Sequence, residues 1–154
     1  MGQSGRMWGM NMMIGEYHHN IDEKGRLISP SKFRIELGEK FIVTRGMEKC
    51  LFVYPMKDWN NMINELNKLS FTKKDYRTFM RMLLSGATEC ELDKSGRINI
   101  SSPLKNYANL DKECVVIGVN DRLEIWSEKG FEEFFNDNIE NYSDIAENLF
   151  ETAC

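Results

Sequence analysis

Short stretches of alternating apolar and polar residues recur along this chain, and turn signals separate them. Alternation with a period of two predicts strands, and it occurs in two sets. The predicted strands cover residues 17–21, 26–29, 40–44 and 50–54, and then 88–92, 97–100, 113–117 and 122–126. A short helix is predicted within each set, at residues 30–37 and 102–107, and Gly38 ends the first. The pattern therefore predicts the order β-β-α-β-β twice.

Helical spacing of apolar residues predicts longer helices that join and close these sets. One covers residues 58–69, and a second follows the start signal from Thr72 to Asp75. The second has an apolar side and a basic side, the basic side being Lys73, Lys74, Arg77 and Arg81. A further helix begins near Ser127, and residues 143–150 are predicted to form a short terminal helix or a frayed tail.

The two sets align as copies of one module. Residues 15–33 match 86–104 at an offset of 71, and one inserted residue then places Val43 opposite Val115. We interpret the match as a duplication, although identities are few and chance similarity is the alternative. A module of roughly 45 residues cannot bury a sufficient core alone. The copies are therefore expected to pack on each other, with interdigitated strands as one arrangement, and oligomerisation is expected too.

Charge is distributed unevenly along the 154 residues. The net charge is −4, but seven acidic residues and no basic ones follow residue 131, so residues 1–130 carry 20 basic and 17 acidic groups. This leaves room for a basic face on the body of the protein. Hydrophobic residues make up 42%, which is ample for a core, and no apolar run is long enough for a membrane helix or a secretory signal. A cytoplasmic protein is expected.

Residues with metal or redox chemistry form no recognisable motif. The four cysteines, Cys50, Cys90, Cys114 and Cys154, are too far apart in sequence for a Cys-x-x-Cys pair. The first three are expected to be reduced, mostly buried thiols, and Cys154 is assigned no role. His18 and His19 are neighbours on a predicted strand, so they should point to opposite faces and not converge on a metal. No phosphate loop or nucleophile motif occurs. The sequence therefore predicts no enzyme, cofactor, metal or small-molecule substrate.

The same turn occurs in both modules, as Asp22-Glu23-Lys24-Gly25-Arg26 and as Asp93-Lys94-Ser95-Gly96-Arg97. The Asp accepts backbone hydrogen bonds, the Gly supplies a positive φ, and the Arg opens the outgoing strand. The carboxylate orients the guanidinium or holds the turn. A guanidinium suits phosphate oxygens or the edge of guanine, and a two-stranded ribbon fits the major groove. A merely solvated hairpin turn is the alternative.

At these residues the sequence resembles the MraZ family. The resemblance rests on residues 15–30, 84–97, 50–55 and 124–126, and runs from about residue 13 to 131. It implies an α+β fold of two tandem ββαββ AbrB-like swapped-hairpin modules, with a small barrel-like double-repeat core and connecting and C-terminal helices. It also implies rings of subunits that bind short direct repeats in double-stranded DNA. Those repeats lie upstream of the division and cell-wall gene cluster and in the regulator's own promoter.

The resemblance also assigns roles to residues of the two turns. The predicted DNA-binding residues are Lys24, Arg26, Lys94 and Arg97, and the turn-forming or orienting residues are Asp22, Gly25, Asp93 and Gly96. The second copy lacks a counterpart of Pro30, and its nearest proline is Pro103, which leaves the register of the second short helix open. A transcription regulator in the cytoplasm, associated with the nucleoid, is expected.

The predicted organisation has five segments: a leader or tag without order at 1–12, the first module at 16–58, linker helices at 59–86, the second module at 87–130, and an acidic C-terminal helix or tail at 131–154. A protein-binding scaffold or antitoxin-like partner is the main alternative to a DNA regulator. In that case the acidic tail from Phe131 would be a partner segment, whereas its simpler interpretation is a solvated terminal helix.

Overall fold

The computed structural model describes residues 12–153, with side chains to residue 151, so the predicted leader lies almost wholly outside the described residues. Its strands are β1 (Met13–Asn20), β2 (Arg26–Ile28), β3 (Phe41–Arg45), β4 (Leu51–Pro55), β5 (Thr88–Cys90), β6 (Arg97–Asn99), β7 (Glu113–Asn120) and β8 (Leu123–Ser127). Its helices are α1 (Ser31–Leu37), α2 (Met56–Leu66), α3 (Lys74–Ser85), α4 (Ser102–Tyr107), α5 (Glu128–Asn138) and α6 (Tyr142–Ala153), with a 3₁₀ turn, Ile139–Asn141, before α6.

The strands of the two halves pair with each other. A six-stranded antiparallel sheet has the order β1-β7-β8-β4-β3-β5, and β2 and β6 form a separate two-stranded ribbon. The first strand of each half pairs with the third strand of the other, as β1 with β7 and β5 with β3. The fourth strands, β4 and β8, pair with each other. The expected interdigitation is therefore present, and the halves share one fold.

The first turn does not close a β1–β2 ribbon, which corrects one expectation. An isolated bridge, Ile21 with Leu27, and a bond of 3.0 Å from the Asp22 N–H to the Arg26 carbonyl are the backbone links that the structure shows between the segments on either side of it. Strand β1 pairs with β7 along its whole length, and β2 pairs with β6. The two-stranded ribbon that carries the arginines is thus made from one strand of each half.

Strand β1 begins at Met13, four residues before the predicted start. Gly118 of the paired strand explains the extension, because a Cβ there would lie 2.5 Å from the Ile14 nitrogen. The missing side chain lets the two backbones come together, and Met13 becomes completely buried.

The register of the strands corrects the alignment of the second block by one residue. Val43 pairs with Val53 in the first half, and Val116 pairs with Ile125 in the second. Val53 and Ile125 are equivalent, because the β4–β8 pairing relates them symmetrically. The counterpart of Val43 is therefore Val116, and the predicted match to Val115 is wrong. Alternating side chains point to opposite faces, so this single residue decides which core each valine joins.

Two apolar clusters lie on the two faces of the sheet. The first lies between the sheet and the β2–β6 ribbon, where Leu27 and Ile98 face each other across the ribbon and are 0% and 1% exposed. Each such side chain contributes about 1.5–3 kcal/mol through burial. The second cluster lies under α2 and α3 and includes Trp59, Leu83 and Trp126. The ribbon is thus fixed on the main core, which gives its turns a rigid base.

The ends of the helices follow local signals. Pro55 directly precedes α2, which begins at Met56, two residues before the predicted start. The Ser127 hydroxyl accepts a bond of 2.9 Å from the Gly130 N–H at the start of α5. Helix α4 occupies residues 102–107 as predicted, with Pro103 in its first turn, where the missing N–H is harmless. Within residues 12–153, no helix has the length and apolar character needed to cross a bilayer.

Candidate nucleic-acid interface

The Asp22 carboxylate organises the first turn. Its Oδ1 accepts hydrogen bonds from the N–H groups of Lys24 and Arg26, both at 2.9 Å. Its Oδ2 accepts from the Arg26 Nε at 2.7 Å. One carboxylate therefore holds both the backbone of the turn and the guanidinium that leaves it, so the two roles that the sequence left as alternatives are combined.

The second turn repeats this geometry. Asp93 Oδ1 accepts from the N–H groups of Ser95 and Arg97 at 2.9 Å, and its Oδ2 accepts from the Arg97 Nε at 2.8 Å. In both turns the pKa of the aspartate lies below its ordinary value. The bond from the backbone N–H of the following arginine is the largest cause, and that arginine's side chain adds to it. Both carboxylates are therefore held in the charged form.

The short antiparallel ribbon holds one turn at each of its two ends. The Ser29 N–H donates to the Gly96 carbonyl at 2.9 Å, and the Ile100 N–H donates to the Gly25 carbonyl at 2.7 Å. Each turn is thus bonded to the outgoing strand of the other half. The two signature turns form one site with approximate twofold symmetry.

Each arginine lies beside the aspartate of its own turn, and Arg97 also approaches the other. The Arg97 Nη1 lies 3.9 Å from the Asp22 Oδ2. The side chains of Arg26 and Arg97 are 33% and 30% exposed, whereas Lys24 and Lys94 at the turn tips are exposed. The arginines are therefore held partly against the protein rather than simply aimed outward, and the lysines are the more accessible cations.

Glycine is required at the fourth position of each turn. Gly25 and Gly96 have φ values of +81° and +76°, which side-chain-bearing residues rarely adopt. A Cβ at Gly25 would lie 2.5 Å from the Ile100 carbonyl oxygen, and one at Gly96 would collide with the guanidinium of Arg34. The predicted role of both glycines in forming the turns is consistent with this geometry.

Arg34 is a basic residue of this site that the sequence did not single out. It lies on α1, its Nε donates to the Ser29 carbonyl at 3.2 Å, and its guanidinium lies over Gly96 of the other half's turn. A signal was available: Lys105 occupies the position in α4 that matches Arg34 at the offset of 71. Arg34 adds a further cation beside the arginines of the turns.

The histidines lie away from the turns, on β1. His18 pairs through Nε2 with Glu16 at 2.7 Å and through Nδ1 with Glu128 of α5 at 3.4 Å. Its hydrogen bond to Glu16 raises the pKa of His18 above the ordinary value, and Glu128 adds to this. Among residues 12–153, no group of three or more His, Cys, Asp or Glu side chains is arranged to hold a metal ion.

The cysteines of the described region are free thiols. Burial raises the pKa of Cys50 to about 12 and that of Cys114 to about 11. Cys90 is half-buried, and Cys154 lies outside the described residues. The thiols Cys50 and Cys114 are thus buried and protonated, as the sequence suggested.

A comparison with protein families gives one result. The model of a family described as "MraZ protein, putative antitoxin-like" matches the chain twice, at residues 12–82 and 83–152. Two successive matches that together span nearly the whole chain confirm the internal duplication. The first match takes in α2 and most of α3, and the second takes in α5 and nearly all of α6.

Proposed function

Since this chain belongs to the MraZ family, we propose that it binds double-stranded promoter DNA as a sequence-specific transcription regulator. The observation that carries the proposal is the pair of Asp-x-x-Gly-Arg turns joined on one ribbon, with Lys24 and Lys94 exposed beside Arg26 and Arg97. Backbone bonds fix the turns, so little ordering of the protein is needed when DNA binds.

The chemistry of the turns favours DNA contact over catalysis. Each aspartate engages its arginine at Nε and fixes the guanidinium, which would then contact a phosphate or a guanine edge without further ordering. The exposed lysines supply mobile positive charge suited to the phosphate backbone. The aspartates of the two turns, Asp22 and Asp93, are already paired with the arginines of their own turns, so we propose a binding role and no enzymatic one.

The proposal extends to assembly and to target. The exchanged strand pairs support a swapped-hairpin module of the AbrB type, and several such modules on a ring of subunits would engage several DNA repeats together. Weak single contacts then suffice, because each further contact is intramolecular. The family points to direct repeats upstream of the division and cell-wall gene cluster, including the protein's own promoter, and to association with the nucleoid.

The test is a gel shift with the promoter upstream of the protein's own gene. Arg26→Ala and Arg97→Ala should each weaken binding without changing oligomer size, whereas Lys129→Ala, an exposed cation on α5, should leave binding unchanged. If the replaced arginine contacts guanine, the variant should discriminate less between the correct base and other bases, by about 1–3 kcal/mol. A phosphate contact should reduce the slope of log K against log salt by about one. Wild-type binding by the double arginine variant would rule out the turns as the DNA site.

The number of repeats in the operator tests the multivalent part separately. Removing one of two repeats should cost far more than half of the affinity, because the ring then loses an intramolecular contact. Equal affinity for one and two repeats would reject multivalent binding while leaving single-turn recognition intact.

A further inference from the structure

Helix α6 presents an apolar stripe to solvent. Tyr142, Ile145, Leu149 and Phe150 are 72%, 44%, 66% and 72% exposed, and their spacing places them on one face. Of the side chains from 142 to 151, only that of Ala146 is half-buried. The acidic residues of the helix fall on the opposite face, namely Asp144, Glu147 and Glu151. Exposed apolar surface of this kind marks an interaction site.

The first half contains the counterpart of α6, and there most of the same stripe is covered: Leu83 is buried, Tyr76, Phe79 and Met80 are half-buried, and Leu84 stays 44% exposed. The apolar positions of α3 have the spacing found in α6: Tyr76, Phe79, Met80, Leu83 and Leu84 correspond to Tyr142, Ile145, Ala146, Leu149 and Phe150. In α3, Leu83 is 3% exposed, and its carbonyl accepts a bond of 2.5 Å from the Thr44 hydroxyl of β3. Phe79 and Leu83 join the cluster that contains Ile42 and Trp59. A helix with this stripe therefore has a known mode of packing in this fold.

The equivalent place in the second half is an open groove. It lies between the β1–β7 strands and α5, has a volume of about 340 Å³, and is lined by Val115, Phe131, Phe135, Glu16, His18 and Glu128 among others. Val115 occupies the position of Ile42, since β1 pairs with it as β5 pairs with Ile42. Phe135 is 41% exposed at the groove. The second half thus has an apolar site of the kind that α3 fills in the first.

The helix α6 of the same chain does not reach this groove. Residues 67–73 connect α2 to α3 and allow α3 to turn back over β3, whereas only the 3₁₀ turn Ile139–Asn141 separates α5 from α6. The backbone stays right-handed helical at both ends of this connector, with φ −61° and ψ −37° at Ile139 and φ −55° and ψ −48° at Tyr142. The chain consequently continues away from the groove instead of reversing over it.

We propose that the α6 helix of a second copy of this chain docks in the groove, apolar stripe inward. This deepens the proposed function, on whose subunit assembly it rests, by naming the contact between subunits. The acidic face of α6 then points to solvent. The groove itself is lined by three carboxylates, Glu16, Glu128 and Glu132, of which Glu16 and Glu128 pair with His18. Because helix and groove are both acidic, salt should strengthen the contact by screening their repulsion.

Two variants test the two sides of the contact, the helix and the groove, independently. The double variant Leu149→Ser/Phe150→Ser removes the apolar stripe of α6, and Phe135→Ser weakens the groove. All three residues are exposed, so the variants should still fold, and circular dichroism checks that they do. Each variant alone should lose the multimer that the wild type forms and sediment as a monomer. The matched control Glu147→Ser, on the opposite face of α6, should assemble like the wild type. An unchanged mass for the stripe variant would overturn the proposal.

Mixing the two defective variants gives the decisive result. The groove variant keeps an intact α6 and the stripe variant an intact groove, so the mixture should form a heterodimer that neither forms alone. If the two variants form no complex on mixing, docking in the groove is overturned. A multimer that dissociates when salt is raised would also overturn it, because that is the behaviour expected if α6 bound the basic face of α3. DNA binding by Arg26 and Arg97 is measured separately on a single repeat, so failure of the docking contact and failure of the DNA site remain distinguishable.

Discussion

Replacing Gly25 or Gly96 by alanine compares two turns that share a backbone conformation but differ in what surrounds them. Their φ values are +81° and +76°, and their hydrogen bonds correspond. An L-residue in this conformation costs about 1–2 kcal/mol, partly offset by the smaller entropy of the unfolded chain. This cost is common to both positions, so any difference between the two variants comes from the space that the new methyl group enters.

The space differs because one neighbour is rigid and the other flexible. At Gly25 the methyl group would lie 2.5 Å from the Ile100 carbonyl oxygen, and the same two residues are joined by the 2.7 Å bond from the Ile100 N–H. Separating them costs about 1–3 kcal/mol for overpacking and about 0.5–1.5 kcal/mol for the weakened bond. At Gly96 the methyl group meets the end of the Arg34 side chain, which can rotate away.

We therefore expect Gly25→Ala to destabilise the protein by about 2–5 kcal/mol and Gly96→Ala by about 1–2 kcal/mol. Thermal unfolding followed by circular dichroism measures this, at roughly 2–4 °C per kcal/mol for a chain of this size. Because Gly96→Ala displaces Arg34, it should weaken DNA binding more than its stability loss explains if Arg34 contacts DNA. Equal losses of stability, or a larger loss for Gly96→Ala, would refute the reasoning from the Ile100 contact.

Three further predictions concern charge and burial. The lowered pKa values of Asp22 and Asp93 mean that the charged carboxylates stabilise the fold above the ordinary carboxyl pKa, and this stabilisation is lost as pH falls through the folded-state pKa values. The melting temperature should therefore fall less steeply from pH 5 to pH 2 for Asp22→Asn/Asp93→Asn than for the wild type. Parallel curves for the two proteins would contradict this. Glu124→Leu leaves the buried indole N–H of Trp126 without its 3.0 Å acceptor, and urea titration should show it about 1–3 kcal/mol less stable than Glu124→Gln, which keeps an acceptor oxygen. The thiol of Cys50, with its pKa raised to about 12, should react with a thiol reagent at pH 8 only after unfolding, and rapid labelling of the native protein at this residue would count against its burial.

The strands were predictable from the sequence, and their interdigitation was one expected arrangement, but which strand pairs with which was not predictable. Period-two alternation reports that one face of a strand is buried, and it is the same whichever strand lies alongside. Residues 17–21 and 26–29 look like the two arms of a hairpin because a turn joins them. In the structure β1 and β2 take partners from the other half, and the Ile21–Leu27 bridge and the bonds between Asp22 and Arg26 link the two segments.

Two smaller differences have local causes. The alignment placed Val43 opposite Val115 because one inserted residue gave the most matches, but the extra residue of the first half lies in the β3–β4 connection. The sequence alone does not distinguish Val115 from Val116 as the counterpart of Val43, since both are apolar and have apolar neighbours. Strand β1 was predicted too short because its first residues approach Gly118, and a close backbone contact leaves no trace in alternation.

The DNA-binding role of the turn residues stays a prediction, whereas part of their geometry was not predicted. The spacing from Asp to Arg offered two alternative roles for the carboxylate, holding the turn or orienting the guanidinium, and the structure combines them. The position of Arg34 over Gly96 depends on the exchange of strands, which brings α1 of one half to the turn of the other. A pattern within one module cannot report a contact made between two modules.

The pairing of strands between the two halves also determines the order in which parts of the protein can fold on the ribosome. Strand β1 emerges before its partner β7, and β2 emerges before its ribbon partner β6. At the usual rates of synthesis, β1 waits roughly 5–20 s for residues 113–120. During that time the apolar strands of the first half lack the surfaces that bury them. A nascent chain of this protein should therefore depend on chaperones until its second half has left the tunnel, and a chain halted midway should be degraded rather than released as a working half.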